Sequence, residues 1–345
     1  MSYKDFDFSG VGINNGNFFG FPFSFQDSQI VILPVEWDVT TSYTAGTANG
    51  PKAILEASTQ LDFYDFDIPN AHKYGIGTLP FSTEIEDLNS KTRILAEEVI
   101  YNLENSQKPK PYSIIQVNEA CEKLNNFVKN ESTKALIHNK LVLLLGGDHS
   151  TSLGYIEALS KVNQEFGILQ IDAHADLRQE YEGFKYSHAS IMRNALQFKQ
   201  ISKLVQVGIR DISIDEASFI EEDDRVVAFS DRDLSYAEYE GKTWANSVEK
   251  IIQELPEKVY ISCDIDGLSP ENCPNTGTPV TGGISYNKLC FLLQKLLQSG
   301  RKIIGADLVE VSPEKNGEWN ANVGARIAYK LCNFMGASNG LTPLF

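Results

Sequence analysis

The segment Gly167–Asp176 (GILQIDAHAD) is an apolar run that ends in acidic and imidazole side chains. Asp172, His174 and Asp176 are spaced two residues apart, so in an extended strand all three side chains point to one side. Two carboxylates and one imidazole that converge in this way make half of a metal site. We therefore predict that this segment contributes ligands to a metal centre.

Two other apolar runs also end in acidic or imidazole side chains. VYISCDIDGLSP ends in Asp264 and Asp266, and LVLLLGGDHS ends in a glycine turn that presents Asp148 and His149. Any one such pattern alone is more simply explained by a capping aspartate or a hydrogen-bonded core histidine. Carboxylates gathered at three strand ends without cations would repel one another, and this cost favours a shared metal site.

The predicted ligand set is rich in oxygen, with four or five carboxylates, two imidazoles and no thiolate. Such a set disfavours structural zinc and favours Mn²⁺, with Ni²⁺, Co²⁺ or Fe²⁺ as alternatives. Carboxylates that bridge suit two ions roughly 3.5–4 Å apart, which together generate hydroxide from water near neutral pH. Of the other histidines, His188 follows closely, whereas His72 and His138 lie in loop-like surroundings and receive no role.

Eight short apolar runs bounded by turn residues predict strands that are buried on both faces of a sheet. These runs are Ile30–Leu33, Gly75–Thr78, Leu141–Leu145, Gly167–Ile171, Leu204–Val207, Arg225–Phe229, Val259–Cys263 and Lys302–Ala306. Amphipathic stretches between them predict helices over Leu88–Leu103 and Ile114–Val128, and helices that begin near Pro51, Ser150, Tyr186, Ala245, Ser285 and Asn322. The alternation predicts an α/β fold with a parallel sheet, whose ligands lie beyond the carboxyl ends of the strands.

The chain begins with a stretch, residues 1–28, that is rich in Phe and Gly and shows little periodicity. We expect this arm to pack on the body of the protein or on a neighbouring subunit. The polar stretch NSQKPKP has a helix candidate on each side and is interpreted as a surface loop. Residues 29–345 are therefore predicted to form a single catalytic domain.

The composition excludes several classes of function. Of 345 residues, 30 are Lys or Arg and 46 are Asp or Glu, and a net charge of −16 disfavours nucleic-acid binding. The five cysteines are widely spaced without a C-x-x-C pair, which is typical of free thiols in a reducing compartment. The N-terminus lacks a secretory signal pattern, and the apolar runs are too short to span a membrane. We expect a cytoplasmic protein without membrane partners.

Six motifs in order, GGDHS, DAHAD, SHAS, CDIDGLSP, GTPVTGG and ADLVEV, resemble the ureohydrolase family of arginases and agmatinases. The resemblance covers about residues 34–328. It implies a three-layer α/β/α fold around an eight-stranded, mainly parallel sheet, and a homo-oligomer that is a trimer or a hexamer. The aromatic arm could then lie at a subunit interface or cover its own domain.

The resemblance also implies a role for each motif residue. One ion would be held by His149, Asp172, Asp176 and Asp264, and the other by Asp172, His174, Asp264 and Asp266. Asp148 would be a turn residue or a hydrogen-bond partner of the ligands.

The catalytic residues follow from the same motifs. His188 matches the proton-shuttling histidine, Glu310 the glutamate that binds the guanidinium of the substrate, and Thr278 a residue of the same pocket. Asp176 would also accept a hydrogen bond from the attacking hydroxide, with urea and an amine as products. The alternatives are a salt bridge for Glu310, a helix cap for His188 and a turn role for Thr278.

The run DLRQEYEGFKYSHASIMR indicates the substrate class, since it resembles archaeal-type agmatinases and lacks the arginase run T-x-x-S-G-N-x-H-G. Agmatine, a small cationic guanidino compound, is the predicted substrate, and Glu180 and Glu182 would bind its second cation. Arg178 or Lys185 could instead pair with the carboxylate of guanidinobutyrate or formiminoglutamate. Guanidinopropionate, free guanidine and arginine are further alternatives.

One segment departs from the family pattern, because SPEKNGEWNANVGARIAYK follows Glu310 where the family has an Asp-rich turn and T-A-x-x-A-A-R. Two rival classes fit the motifs less well. A non-catalytic metal-binding relative would be expected to lack a ligand, the histidine or the glutamate, and none is missing. A deacetylase of the same overall fold would bind a single zinc ion.

Overall fold

The computed structural model describes residues 5–345, so the first four residues of the predicted arm lie outside it. Eight strands form one sheet in the order β2-β1-β3-β8-β7-β4-β5-β6, and all seven neighbouring pairs are parallel. The strands are β1 (Ile30–Pro34), β2 (Ile76–Thr78), β3 (Leu141–Leu145), β4 (Phe166–Ile171), β5 (Ile201–Ile209), β6 (Val226–Ser230), β7 (Lys258–Asp264) and β8 (Lys302–Val309).

The central strands are buried on both faces, which explains their continuous apolar sequences. Every residue of β4 (FGILQI) is buried, as is every residue of β1 (IVILP). A strand covered by helices on both faces needs no alternation of polar and apolar residues. All eight predicted runs form strands, and the predicted parallel α/β sheet is confirmed.

Ten helices cover the two faces of the sheet within residues 5–345. They are α1 (Gly50–Ser58), α2 (Thr83–Glu104), α3 (Pro111–Ile137), α4 (Leu153–Val162), α5 (Ile191–Ala195), α6 (Ile214–Glu222), α7 (Asp231–Tyr239), α8 (Trp244–Gln253), α9 (Tyr286–Gln298) and α10 (Trp319–Ser338). No helix of this described part is long and apolar enough to cross a membrane.

Helices α6 and α7 were not predicted, because each buries a single side chain and so lacks an apolar stripe. The buried residues are Glu216 in α6 and Leu234 in α7. A different signal was present before α6: Ser213 and Glu216 form a capping box, in which each side chain accepts from the backbone N–H of the other.

The aromatic arm packs on its own chain. Phe18, Phe19, Phe21 and Phe23 are almost completely buried and belong to the same apolar cluster as helix α10. The ring of Phe19 lies 5.2 Å from that of Tyr329, centroid to centroid. The sequence analysis left open whether the arm lies at a subunit interface or covers its own domain. In the structure these four rings cover their own domain.

Four neighbouring strands of the sheet, β3, β8, β7 and β4, carry the residues singled out by the sequence. His149 follows β3, Glu310 follows β8, Asp264 ends β7 and Asp172 follows β4. Because the strands are parallel, all four side chains lie at one edge of the sheet.

Candidate metal centre and active site

The imidazole of His149 faces a group of carboxylates. Its Nδ1 lies 2.9 Å from Oδ2 of Asp176, 3.1 Å from Oδ2 of Asp172 and 3.5 Å from Oδ2 of Asp264. All four side chains are buried. His149 Nδ1 nevertheless has no hydrogen-bond partner with acceptable geometry. A nitrogen lone pair and three carboxylates that converge without bonding one another are suited to sharing a cation.

A second group of ligand atoms lies beside the first. Nδ1 of His174 is 3.1 Å from Oδ2 of Asp266 and 3.6 Å from Oδ1 of Asp172. Oδ2 of Asp266 is buried without a hydrogen bond. Asp172 belongs to both groups, one with His149 and Asp176 and the other with His174 and Asp266. The structure thus brings all six predicted ligands together around two neighbouring positions.

The acidity of these carboxylates reflects their crowding. Burial, and then the charge of Asp172, raises the pKa of Asp176 to about 7. Burial and the charges of Asp266 and Asp172 raise the pKa of Asp264 well above its usual range. Asp172 differs: burial opposes its charge, but the adjacent imidazoles of His149 and His174 hold its pKa below the usual range. Divalent cations would relieve this repulsion, so the residues present fit a metal centre.

The two-residue spacing of Asp172, His174 and Asp176 brings their side chains together through a local turn, whereas the sequence analysis expected an extended strand. Strand β4 ends at Ile171, so Asp172, His174 and Asp176 lie in a loop, and Asp176 has a positive φ of 55°. Asp172 Oδ1 accepts a hydrogen bond from the backbone N–H of His174 at 2.7 Å. The prediction that an extended strand aligns the three side chains was therefore wrong, because a local turn aligns them instead.

The same turn recurs at the end of β7. Asp264 Oδ1 accepts from the backbone N–H of Asp266 at 2.8 Å, and Asp266 Oδ1 accepts from that of Ala173 at 3.0 Å. In Asp172, Asp264 and Asp266 alike, one carboxylate oxygen is bound by the backbone. That bond orients the carboxylate, so the other oxygen is presented to the centre.

Asp148 faces away from both positions. Its carboxylate accepts from the backbone N–H of Ser150 at 3.0 Å and from the hydroxyl of Thr40 at 3.1 Å. It therefore caps the short helical turn that carries His149.

Glu310 keeps one carboxylate oxygen free of hydrogen bonds, although it is not part of the pocket lining described below. Its Oε1 accepts from the backbone N–H of His149 at 2.9 Å, while its Oε2 is buried without a hydrogen bond. A Cβ at Gly277 would lie 2.5 Å from Oε2, so only glycine leaves room for this carboxylate. Burial, followed by the charge of Asp148, raises the pKa of Glu310 well above its usual range. No Lys or Arg among residues 5–345 forms an ion pair with it, which leaves the oxygen available for a cationic ligand.

His188 is buried and only weakly held. Its Nδ1 lies 3.3 Å from the hydroxyl of Ser187 and 3.4 Å from that of Thr40, and its backbone N–H donates to Thr40 Oγ1 at 3.0 Å. Burial, followed by the charges on His174 and His149, lowers the pKa of His188 to about 3. The imidazole is therefore neutral near pH 7.

A pocket of about 330 Å³ connects the site with the surface. His174, Asp176, His188 and the half-buried Thr278 line it. The other four predicted ligands, His149, Asp172, Asp264 and Asp266, are not part of this lining. The remaining wall and the mouth are formed by Ser42, Tyr43, Arg178, Tyr181, Ala189, Asp211, Ile212, Ser213, Glu216, Pro279 and Val280.

The structure does not bring Glu180 and Glu182 to this pocket, contrary to expectation. Glu180 is exposed and lines a separate groove, while the chain turns at Glu182, where φ is 57°. The turn pairs Tyr181 with Phe184, so the tyrosine faces the pocket in place of the glutamates.

Asp211 is an acidic pocket residue that the sequence analysis missed. It is exposed, and it follows β5, which ends at Ile209. Its backbone pairs with that of His174. The rule that ligands gather at the carboxyl ends of parallel strands could have found it, but this strand end lacks the D-x-D pattern.

Arg178 lines the same pocket, but its charge is compensated. Its guanidinium lies 4.6 Å from the ring centre of Tyr181, and its Nε lies 3.8 Å from Oε2 of Glu216. Asp211 has no comparable partner within residues 5–345, so the mouth of the pocket carries an uncompensated negative charge.

A parallel α/β sheet with imidazole and carboxylate ligands at the ends of its central strands defines a class of metal-dependent hydrolases. The chain belongs to the arginase family: the profile described as "Arginase family" matches residues 28–333. It is 30% identical to the N(1)-aminopropylagmatine ureohydrolase of Synechocystis sp. (91% of this chain, 92% of that protein). It is 31% identical to an enzyme of the same name from Thermus thermophilus (92% and 93%).

The chain is also similar to a guanidinobutyrase in sequence and to a solved agmatine ureohydrolase in structure. A guanidinobutyrase of Pseudomonas aeruginosa is 27% identical, over 88% of this chain and 85% of that protein. The crystal structure of the agmatine ureohydrolase of Thermoplasma volcanium superposes with a TM-score of 0.68, at 22% identity over 97% of this chain and 96% of that one. This structural likeness confirms the arginase-like fold.

Proposed function

We propose that this chain is a binuclear-metal ureohydrolase that cleaves a guanidino C–N bond and releases urea. The observation that carries the proposal is a pair of buried atoms without hydrogen-bond partners. One is Nδ1 of His149, which lies beside three carboxylates, and the other is Oε2 of Glu310. Two divalent ions would be held by His149, Asp172, His174, Asp176, Asp264 and Asp266.

Mn²⁺ is the proposed ion, with Ni²⁺ as the alternative, because four carboxylates and two imidazoles form a hard, oxygen-rich ligand set. When bound, the ions supply hydroxide near neutral pH and stabilise negative charge on the tetrahedral intermediate.

The protein side chains would divide the remaining work. Glu310, through its free Oε2, would hold the planar guanidinium by charge-assisted hydrogen bonds and orient its central carbon. Asp176 would accept a hydrogen bond from the attacking water. Thr278 would contact the substrate in the pocket. His188 would relay a proton from solvent to the leaving amine, because its neutral imidazole lines the pocket and can donate from one ring nitrogen while the other accepts.

We propose agmatine as the substrate, with putrescine and urea as products. The uncompensated carboxylate of Asp211 at the mouth of the pocket favours a cationic tail, and Arg178 is already occupied by Tyr181 and Glu216. The names of the two 30–31% identical relatives point the same way, since N(1)-aminopropylagmatine also carries a cationic tail. Guanidinobutyrate is the main alternative because of the Pseudomonas relative.

We also propose that residues 29–345 form one catalytic domain and that the chain assembles as a trimer or hexamer in the cytoplasm. The free cysteines within residues 5–345 support a reducing location. Light scattering tests the assembly, and a monodisperse monomer would contradict it.

The test of function is urea release after loading with Mn²⁺ or, separately, Ni²⁺. The substrates are agmatine, N(1)-aminopropylagmatine, arginine, 4-guanidinobutyrate, 3-guanidinopropionate, formiminoglutamate (assayed as formamide release) and free guanidine. We expect turnover of agmatine and N(1)-aminopropylagmatine, the two compounds with a cationic tail and no carboxylate. We also expect two ions per chain and a loss of activity in Glu310→Gln. One ion per chain would favour deacetylase-like chemistry. Two ions with no turnover of any compound would favour a non-catalytic metal-binding protein.

A further inference from the structure

The hydroxyl of Thr40 lies where three loops of the site meet. Thr40 follows β1, Asp148 follows β3 and His188 follows β4. The hydroxyl donates to Oδ2 of Asp148 at 3.1 Å and accepts from the backbone N–H of His188 at 3.0 Å. The same oxygen lies 3.4 Å from Nδ1 of the His188 ring. One buried hydroxyl therefore connects the turn that follows β3 with the segment that carries His188.

The other partners of Asp148 fix the direction of the Thr40 hydroxyl. Asp148 Oδ1 accepts from the backbone N–H of Ser150 at 3.0 Å, and its Oδ2 accepts from the backbone N–H of Thr40 at 3.3 Å as well as from the hydroxyl. A threonine hydroxyl has one proton, and here that proton is directed to Asp148. The lone pairs of the hydroxyl are left for His188, so Thr40 accepts from this residue and does not donate to it.

Thr40 is itself held in place by helix α2. Nη1 of Arg93 donates to the carbonyl of Val39 at 3.2 Å and to that of Thr41 at 2.6 Å, so its guanidinium bridges the residues on both sides of Thr40. The side chain of Arg93 is only 15% exposed. The position of the Thr40 hydroxyl is therefore fixed by contacts with a long helix.

The imidazole of His188 has few other polar contacts. Within residues 5–345, its ring nitrogens lie within hydrogen-bonding distance of two side chains, the hydroxyls of Thr40 and, at 3.3 Å, of Ser187. The ring of Tyr181 lies 6.4 Å away, centroid to centroid, and nearly perpendicular. A group that delivers a proton must be held within hydrogen-bonding reach of the atom that receives it, so loss of the Thr40 contact would reduce proton transfer.

We infer that Thr40 is a positioning residue that holds His188 in the orientation needed to deliver a proton to the leaving amine. Thr40 does not line the pocket, so it acts through His188 and not by contact with the substrate. The inference rests on the proposed function, because that function gives His188 its role. Asp148 holds the hydroxyl, but it also caps the turn that carries His149 and is therefore unsuitable for a selective test.

The experiment compares Thr40→Val, which removes the hydroxyl and keeps the shape, with Thr40→Ser, which keeps the hydroxyl. Thr92→Val is the matched control, since Thr92 is also a buried threonine but lies on helix α2. We expect Thr40→Val to lower kcat for agmatine at least about 10-fold without a change in KM or metal content, because proton transfer alone is impaired. Thr40→Ser should lose less than about 3-fold, and Thr92→Val should match the wild type.

The same substitution in the His188→Asn background separates positioning from a general structural effect. If Thr40 acts through His188, Thr40→Val should lower kcat no further in that background. An equal further loss there would overturn the inference, as would a Thr40→Val enzyme with wild-type kcat. Thr40→Ala takes the place of Thr40→Val if valine prevents folding.

Crystal structures of the wild type, Thr40→Val and Thr40→Ser provide a readout that does not depend on activity. We expect the His188 ring to leave its wild-type position in Thr40→Val and to keep it in Thr40→Ser. An unmoved ring in Thr40→Val would overturn the inference. A wild-type protein that binds two ions but hydrolyses no guanidine would refute the proposed function, while the position of the ring would still decide whether Thr40 orients His188.

Discussion

The backbone N–H of His149 donates to Glu310 Oε1 at 2.9 Å, so one hydrogen bond joins a candidate metal ligand to the carboxylate proposed to bind the guanidinium. These residues follow β3 and β8, which are neighbours in the sheet. The other oxygen of Glu310 is thereby oriented relative to the metal centre. The backbone pairing of β3 with β8 continues beyond the strands, where the N–H of Glu310 donates to the carbonyl of Gly147, and it therefore sets the distance between the proposed ions and the substrate.

Gly277→Ala should raise KM for agmatine at least about 10-fold while metal content is unchanged. The added Cβ would lie 2.5 Å from Glu310 Oε2 and would displace the carboxylate from the position it now holds. Steady-state kinetics and metal analysis check this. Gly300→Ala is the control for KM, because its Cβ would meet open space and the strain from its φ of 79° would lower stability without touching the site. An unaltered KM in Gly277→Ala would contradict the assignment of Glu310.

Asp211→Asn should raise KM for agmatine roughly 5-fold, since an exposed charge pair is worth about 1 kcal/mol. The KM for 4-guanidinobutyrate should be unchanged or lower, because that tail carries no cation. Glu180→Gln is the matched control, as Glu180 lies in a separate groove. Equal effects of Asp211→Asn on both substrates would show that Asp211 does not select the tail.

His188 makes the metal-free protein less stable in acid. Its folded pKa of about 3 lies below the ordinary value of 6.5, so the folded state binds fewer protons than the unfolded state between these values. The stability is present above pH 6.5 and is lost as pH falls toward 3. Denaturant unfolding of His188→Asn should show a shallower loss over this range. The exposed His138→Asn should follow the wild type, and an unchanged slope in His188→Asn would refute the burial argument.

Phe19→Ala should lower the free energy of unfolding by about 3–5 kcal/mol, the usual cost of removing a buried aromatic ring. Phe19 is 1% exposed and packs against Tyr329. Metal content should not change, because the arm lies away from the pocket lining. Val11→Ala, at a residue that is 92% exposed, should be neutral. Denaturant unfolding of both variants provides the comparison.

The strands and the grouping of the candidate ligands were predictable because each is encoded by a short local pattern. An apolar run such as Leu141–Leu145 predicts a strand because only burial on both faces explains it. The ligand pattern is also local, since the two-residue spacing of Asp264 and Asp266 repeats that of Asp172 and His174. The substrate-binding wall was not predictable in the same way. Glu180 and Glu182 were predicted to bind the substrate because they lie between Asp176 and His188 in the sequence. The turn at Glu182 depends on a positive φ that the sequence pattern did not reveal.

Helices α6 and α7 and the pocket residue Asp211 illustrate a second limit. The two helices cover the sheet edge near β5 and β6 with few buried side chains, so their amphipathic signal is weak. Asp211 follows β5 as a single acidic residue. Its place in the pocket arises because its backbone pairs with His174, a contact between segments that are distant in sequence.

The contact between Phe19 and Tyr329 joins the aromatic arm to helix α10, two segments that lie far apart in the sequence. Contacts between residues so distant in sequence close late in folding. During synthesis the arm emerges long before helix α10, so the face of Phe19 that packs on Tyr329 stays uncovered until that helix has been made. Until then the nascent chain exposes apolar aromatic surface, which is the kind of surface that makes incompletely folded chains prone to aggregate.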